Sequence, residues 1–177
     1  MTEMMAKEAM GKIYHHIREA VWDKKNQAAK DELSIGSMLA GMSFYNAGVG
    51  GVHALAYPLG GNFKIPHGES NAVLLPYVYE EILKSCSNKL AVLAPIFSIA
   101  TEGKNNVEIS REITDKLFDM VKEVGLPENL QHYGITSEDI DLLTENALKQ
   151  TRLLAKSPLE LKEDEIKRIY TNALNGR

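Results

Sequence analysis

The sequence predicts an all-α fold, a multi-helix bundle, on three observations. Apolar residues recur at three- and four-residue spacing through long segments. No alternating strand pattern extends beyond a few residues, and glycine and proline fall where helices should stop. The segment 3–22 sets Met4, Ala9, Met10, Ile13, Ile17, Ala20 and Val21 on one stripe with Lys7, Lys12 and Arg18 outside it, and Asp23 to Asn26 then form a polar turn. A second helix is expected over about 28–46. Its latter half, IGSMLAGMSFYNAG, is small and apolar all round, which predicts burial on every side. Residues 48–61 hold five glycines and one proline around HALAY, the pattern of a short, tightly packed helix with irregular ends.

After IPHG, a helix from about Glu69 carries VLLPYVYEEIL, with Pro76 as its expected kink. A separate apolar helix is expected over 89–100. Residues 107–124 place Ile109, Ile113, Leu117, Met120 and Val124 on one face, and Gly125 followed by Pro127 stops that helix. Thr136 to Asp139 offer caps for a helix running to about Ala155, and Lys162 starts a last one.

Composition narrows the function. With 177 residues and 44% hydrophobic content the chain can bury a core of its own. Twenty basic and 24 acidic residues are dispersed along it and give a net charge of −4, so no basic stripe exists to meet a nucleic acid. No apolar run reaches the roughly 18 residues that span a bilayer, and the start MTEMMAKEAMGKIYHH lacks the pattern of a signal peptide. Cys86 is the only cysteine, which excludes an internal disulfide and a thiolate metal cluster. A soluble cytoplasmic protein is the expectation, without a membrane or nucleic-acid partner.

Of the five histidines, His53 and His67 stand out. His53 lies among glycine and alanine, where backbone can approach closely, and His67 stands between Pro66 and Gly68 at the mouth of the next helix. Two neutral imidazoles from neighbouring segments can hold Fe2+ or Zn2+ if a carboxylate and an open position complete the shell. Their spacing of fourteen residues is compatible with a helix–loop–helix that brings them together; two satisfied core or surface histidines would share it. His15 and His16 are adjacent on the first helix and are read as solvated. Glu128 and His132 are read as a loop and helix-end pair.

The run GMSFYNAGVGGVHALAYPLGGNFKIPHGESNAVLLP, residues 41–76, closely resembles the metal-binding signature of the iron-containing alcohol dehydrogenases, a family within the dehydroquinate synthase-like fold. TRLLAKSPLELKEDEIKRIY resembles the family's C-terminal ending, so the likeness spans essentially the whole chain. The resemblance implies that His53 and His67 are metal ligands, with Fe2+ or Zn2+ as the ion. It implies a Lewis-acid role for that ion on a small alcohol or aldehyde, with hydride exchanged with NAD or NADP in a complete enzyme. It also places Tyr57 where the family often has a further histidine near the nicotinamide, which makes Tyr57 the candidate catalytic residue. Phe44 and Val49 resemble substrate-pocket wall positions; core packing beside Met42 and Ala47 is the equal alternative. Glu69, Ser70 and Asn71 either orient the ligand imidazoles or cap a helix.

The family's other two ligands, an aspartate and a histidine four residues later, belong to an earlier helix that would fall before Met1. Its N-terminal nucleotide-binding domain is likewise absent from the sequence. GVGG at 48–51 does not replace it, because no strand or βαβ unit surrounds it. Residues 1–177 are therefore expected to form the C-terminal α-helical metal-binding domain, inactive alone, whose partner is the missing domain or a second copy. Two alternatives stay open: a non-catalytic helical metal-binding or interaction module, and a zinc-dependent relative such as a glycerol dehydrogenase, against which the HALAYPLGG and PHGESNAVLLP wording speaks.

Overall fold

Eight α-helices and two short 3-10 turns, with no strand, make up the computed structural model, which describes residues 1–177. Helices α1 (Thr2–Trp22) and α2 (Gln27–Ala47) form an antiparallel hairpin around the polar turn. Asn26 caps α2 by accepting from the Ala29 amide at 3.0 Å. The two helices approach closely at Gly36, where an added Cβ would lie 2.9 Å from Ile13 Cγ1. The Ser43 hydroxyl donates to the Thr2 carbonyl at 3.0 Å and fastens the open end.

Helices α3 (Gly51–Phe63) and α4 (His67–Ala91) follow, then α5 (Asn106–Glu123), α6 (Ile140–Leu148), α7 (Thr151–Leu154) and α8 (Glu163–Asn175). The main core gathers Leu55, Leu59, Leu74, Val78, Leu143, Ile166, Ile169 and Tyr170 from α3, α4, α6 and α8. A smaller one, with Leu83, Leu90, Phe97, Ile113 and Leu117, lies between α4 and α5. There the α5 residues Ser110 and Thr114 are buried and donate back to the Asn106 and Ser110 carbonyls, which satisfies both hydroxyls against α4. Asn105 starts α5 with a capping box: its side chain accepts from Val107 and Glu108 amides while Glu108 accepts from its own amide. Gly125 ends the helix at φ 78°, as its sequence position predicts.

The hairpin attaches to this body along α1. Tyr14 packs on Phe97 with ring centres 4.6 Å apart, and the Trp22 indole donates to the Glu123 carbonyl at 2.6 Å. No helix is long and apolar enough to cross a membrane.

Three expectations need correction. The latter half of α2 is not buried on every side: only Ala29, Gly36 and Ser43 of this helix are buried, while Ile35, Met38, Met42, Phe44 and Tyr45 are exposed. An apolar composition says that a face can be covered, and α1 covers only one. Residues 89–100 do not form a separate helix. α4 runs on to Ala91, and successive tight turns follow because Pro95 has no amide to donate and Ser98 adopts φ 55°. The helix expected from 136 to 155 is broken, with a 3-10 turn at Ser137–Asp139, α6, and then the single turn of α7.

Candidate metal centre

The glycine run before α3 is fixed by what packs on it. A Cβ on Gly51 would lie 2.7 Å from Leu161 Cδ1 and 3.5 Å from Ser157 Oγ, so the loop 156–161 lies directly on the helix start. Gly48 takes φ 83°, the left-handed region that glycine adopts freely. From the other side, the buried Tyr170 hydroxyl of α8 donates to the Leu55 carbonyl at 2.7 Å. His53 projects from the first turn of α3, and Tyr57 lies one turn further on the same face.

Chain direction reverses after Phe63. Lys64 adopts the left-handed conformation at φ 58°, and Pro66 then caps α4, whose first residue is His67 rather than Glu69. The Ser70 amide donates to the Pro66 carbonyl at 2.9 Å and its hydroxyl to the Ile65 carbonyl at 3.4 Å. This tight corner carries His67 back beside His53. Their ring centres are 5.4 Å apart with 55° between planes, and Tyr57 stands 5.5 Å from His67. Burial holds the His53 pKa below its ordinary value, and the neighbouring His67 lowers it further, so the neutral, ligating form is favoured.

Of Glu69, Ser70 and Asn71, Asn71 alone touches the His67 ring: the side-chain amide lies 3.1 Å from Nε2 and 3.3 Å from Nδ1, and donates to the His67 carbonyl at 2.8 Å. Ser70 closes the helix corner. Glu69 turns away and accepts from the Tyr133 hydroxyl at 3.2 Å. Burial first, then the Glu69 carboxylate, push the Tyr133 pKa up to about 12.

Beside His53 lies a cleft of about 500 Å³ lined by Val49, Asn71, Leu75, Lys156 and Ser157 among others. Phe44 is not on its wall and is exposed near the end of α2. Asn71 Oδ1 and Ser157 Oγ are buried on this wall without a hydrogen-bond partner. Such atoms mark a place for a polar occupant. Ser157 and Lys156 were missed by sequence reasoning, because nothing in AKSPLEL signals that the loop returns to the glycine run. Glu128 and His132 do not join the site: the Glu128 carboxylate pairs with Lys122 at 3.6 Å, and His132 sits in the 3-10 turn Leu130–Tyr133.

No group of three or more His, Cys, Asp or Glu side chains converges anywhere in the chain, so it offers an ion two imidazoles and not a full shell. Those two fit an ion. With metal–nitrogen bonds of about 2.1 Å and tetrahedral angles, two ligated imidazole rings have centres about 5 Å apart.

Residues 1–174 match the family model described as Fe-containing alcohol dehydrogenase family, C-terminal. The chain belongs to this family. It is 44% identical over 172 residues to the long-chain-alcohol dehydrogenase 1 of Geobacillus thermodenitrificans, covering 97% of this chain and 44% of that one. The 1,3-propanediol dehydrogenase of Citrobacter freundii is 32% identical, with 98% of this chain and 44% of that one covered. A crystal structure of a 1,3-propanediol oxidoreductase superposes with a TM-score of 0.94 at 32% identity, over 98% of this chain and 45% of that one. The chain thus spans less than half the length of these family members and has the fold of their C-terminal helical part.

Proposed function

We propose that this chain is the metal-binding half of an iron-dependent, NAD(P)-linked alcohol dehydrogenase, in which residues 1–177 are the C-terminal helical domain and hydride transfer requires a nucleotide-binding half. The observation that carries the reading is the approach of His53 and His67 at 5.4 Å beside a cleft with two unpartnered oxygens. Relatives named for long-chain alcohols, 1,3-propanediol and lactaldehyde support an alcohol or its aldehyde as the substrate class.

His53 and His67 would hold Fe2+, with Zn2+ as the competing ion, and such an ion supplies Lewis-acid polarisation of the substrate oxygen. His53 is suited to this by burial, which keeps its ring neutral. Asn71 holds the His67 ring and yields its ring contact when that nitrogen takes a ligand, while its bond to the His67 carbonyl keeps the amide in place. Val49 shapes the wall on which the substrate carbon chain rests. Tyr57 stands at the exposed edge, where its hydroxyl can donate a hydrogen bond to a substrate oxygen.

Calorimetric titration of the chain with Fe2+ under anaerobic conditions, and with Zn2+, tests the reading. Binding to the wild-type chain that is lost in His53→Ala and in His67→Ala is expected. Binding unchanged by both substitutions would remove the basis of the proposal.

A further inference from the structure

We infer that the peptide Asn175–Gly176, where α8 ends, is a site of spontaneous deamidation, at which the Asn175 carboxamide becomes a carboxylate and part of the backbone converts to an isoaspartyl link. The inference concerns a helix end outside the metal centre and stands independently of the dehydrogenase reading. Asn175 is the only asparagine of the chain followed by glycine. It is also, with Asn172, one of the two whose side chain makes no hydrogen bond. The others are engaged: Asn62 donates to the Pro58 carbonyl at 2.9 Å, Asn106 to the Asn88 side chain at 2.8 Å, and Asn105 accepts from the Val107 amide at 2.9 Å, with the rest held in the same manner. A carboxamide held in this way does not turn freely towards the next amide. Asn172 precedes Ala173, which is fully buried within the helix, so that amide cannot leave α8 without opening the core. Asn175 alone combines a free carboxamide with a glycine.

Gly176 brings no side chain to crowd the carboxamide, and it takes φ 78° without strain. Its amide donates to the Asn172 carbonyl at 3.0 Å, and this bond closes the last turn of α8, where helices fray. Once it opens, the Gly176 nitrogen gives its proton to water and attacks Asn175 Cγ. The N–Cγ bond forms, the Cγ–Nδ2 bond breaks, and the nitrogen leaves as ammonia. Water then opens the succinimide: addition at Cγ gives aspartate, and addition at the Asn175 backbone carbonyl gives isoaspartate, in which the chain runs through the side-chain carbon. The net change is amide plus water to carboxylic acid plus ammonia, with nothing oxidised or reduced. The product carboxylate stands at the negative end of the helix dipole, which opposes it. It also adjoins Arg177, whose guanidinium lies 4.6 Å from the Phe118 ring centre and pairs with Asp115 at 2.5 Å and Glu80 at 3.9 Å. These contacts tie the end of α8 to α5 and α4. An isoaspartyl link lengthens the backbone by a methylene just before Arg177, so conversion releases the guanidinium from Phe118.

The folded chain, held for days at mildly alkaline pH and then digested, should show by tandem mass spectrometry the mass gain of OH for NH2 at Asn175 ahead of every other asparagine. A methyltransferase specific for isoaspartate should label the aged wild type and leave Asn175→Gln unlabelled. In the converted fraction, separated by its extra negative charge, the Phe118 ring resonances should move from their wild-type positions, and in Asn175→Gln they should stay. First conversion at another asparagine, or labelling that persists in Asn175→Gln, would overturn the inference. So would a folded chain that stays unconverted while a urea-unfolded sample converts, since the bond to Asn172 would then keep the ring from closing. Unmoved Phe118 resonances in the converted fraction would overturn the release of Arg177. None of these outcomes depends on whether His53 and His67 hold a metal.

Discussion

Alanine at Gly51 and alanine at Gly11 should change stability in opposite directions, although both glycines lie in helices. At Gly51 the added methyl would stand 2.7 Å from Leu161 Cδ1 and 3.5 Å from Ser157 Oγ. Leu161 is only 4% exposed and packed in the main core, so it cannot swing into solvent to relieve the clash. Forcing a methyl into such packing costs about 1–3 kcal/mol. Replacing glycine by alanine in a helix returns roughly 0.5–1 kcal/mol, and less in a first turn, where Gly51 sits. The clash therefore wins, with a net loss of about 1 kcal/mol or more. At Gly11, in the middle of α1, nothing lies within 4 Å of the methyl, and a gain of roughly 0.5–1 kcal/mol should appear undiminished. Urea unfolding of both variants measures the difference. Adding Leu161→Val to Gly51→Ala should recover part of the loss, giving a coupling that simple addition of the single effects does not predict. Equal stability of the two alanine variants, or strictly additive effects with Leu161→Val, would refute the account of why the chain has glycine two residues before His53.

Tyr170→Phe should lower stability by about 1 kcal/mol, because the Leu55 carbonyl loses a buried donor at 2.7 Å while the ring volume stays; thermal unfolding reads this directly. Asn105→Ala removes the acceptor of the α5 capping box and should cost about 1 kcal/mol, with faster exchange of the Val107 and Glu108 amides. Tyr133 gives a pH dependence: its pKa is raised from 10.0 to about 12 in the fold, so its contribution is complete below pH 10 and is lost as pH rises towards 12, where the unfolded chain releases the proton first. Urea midpoints of Tyr133→Phe should decline less steeply than wild type over that window; identical slopes would show that burial beside Glu69 does not hold the proton.

The most legible parts were the helices whose sequence carries its own boundaries. α5 shows a regular apolar face, Asn105 before it and Gly125 after it, and the observed span differs from expectation by one residue at each end. α8 begins as expected after Lys162 and buries Ile166, Ile169, Tyr170, Ala173 and Leu174 at helical spacing. α2 was misread because hydropathy reports a tendency to be covered and not the identity of what covers it. The break after Ala91 could have been found from Pro95, whose missing amide outweighs the apolar run around it. For the site, sequence spacing allowed His53 and His67 to meet but did not require it. The left-handed Lys64 and the Pro66 corner decide the meeting, and a lysine gives little sign of left-handed backbone. The return of loop 156–158 to the glycine run was invisible, since contacts so distant in sequence leave no local pattern.

The two histidines are held by the protein core and need no ligand to bring them together. α3 is pinned by Leu161 on Gly51 at one end and by the Tyr170 hydroxyl on Leu55 a turn later, while Ser70 and Glu69 fasten the start of α4 to Ile65 and Tyr133. Each tie runs to a different part of the main core, so losing one leaves the others to keep the rings near 5.4 Å. α2 is in the opposite condition: its cap, its close approach and its end hydrogen bond all lie within the hairpin, and its exposed stripe has no second support. Local opening should therefore start at the end of α2, whereas the corner from Gly51 to Asn71 opens only with the core. Amide exchange that is slow at Leu55 and Ser70 and fast from Met42 to Ala47 follows from this division, and equal protection of the two segments would refute it.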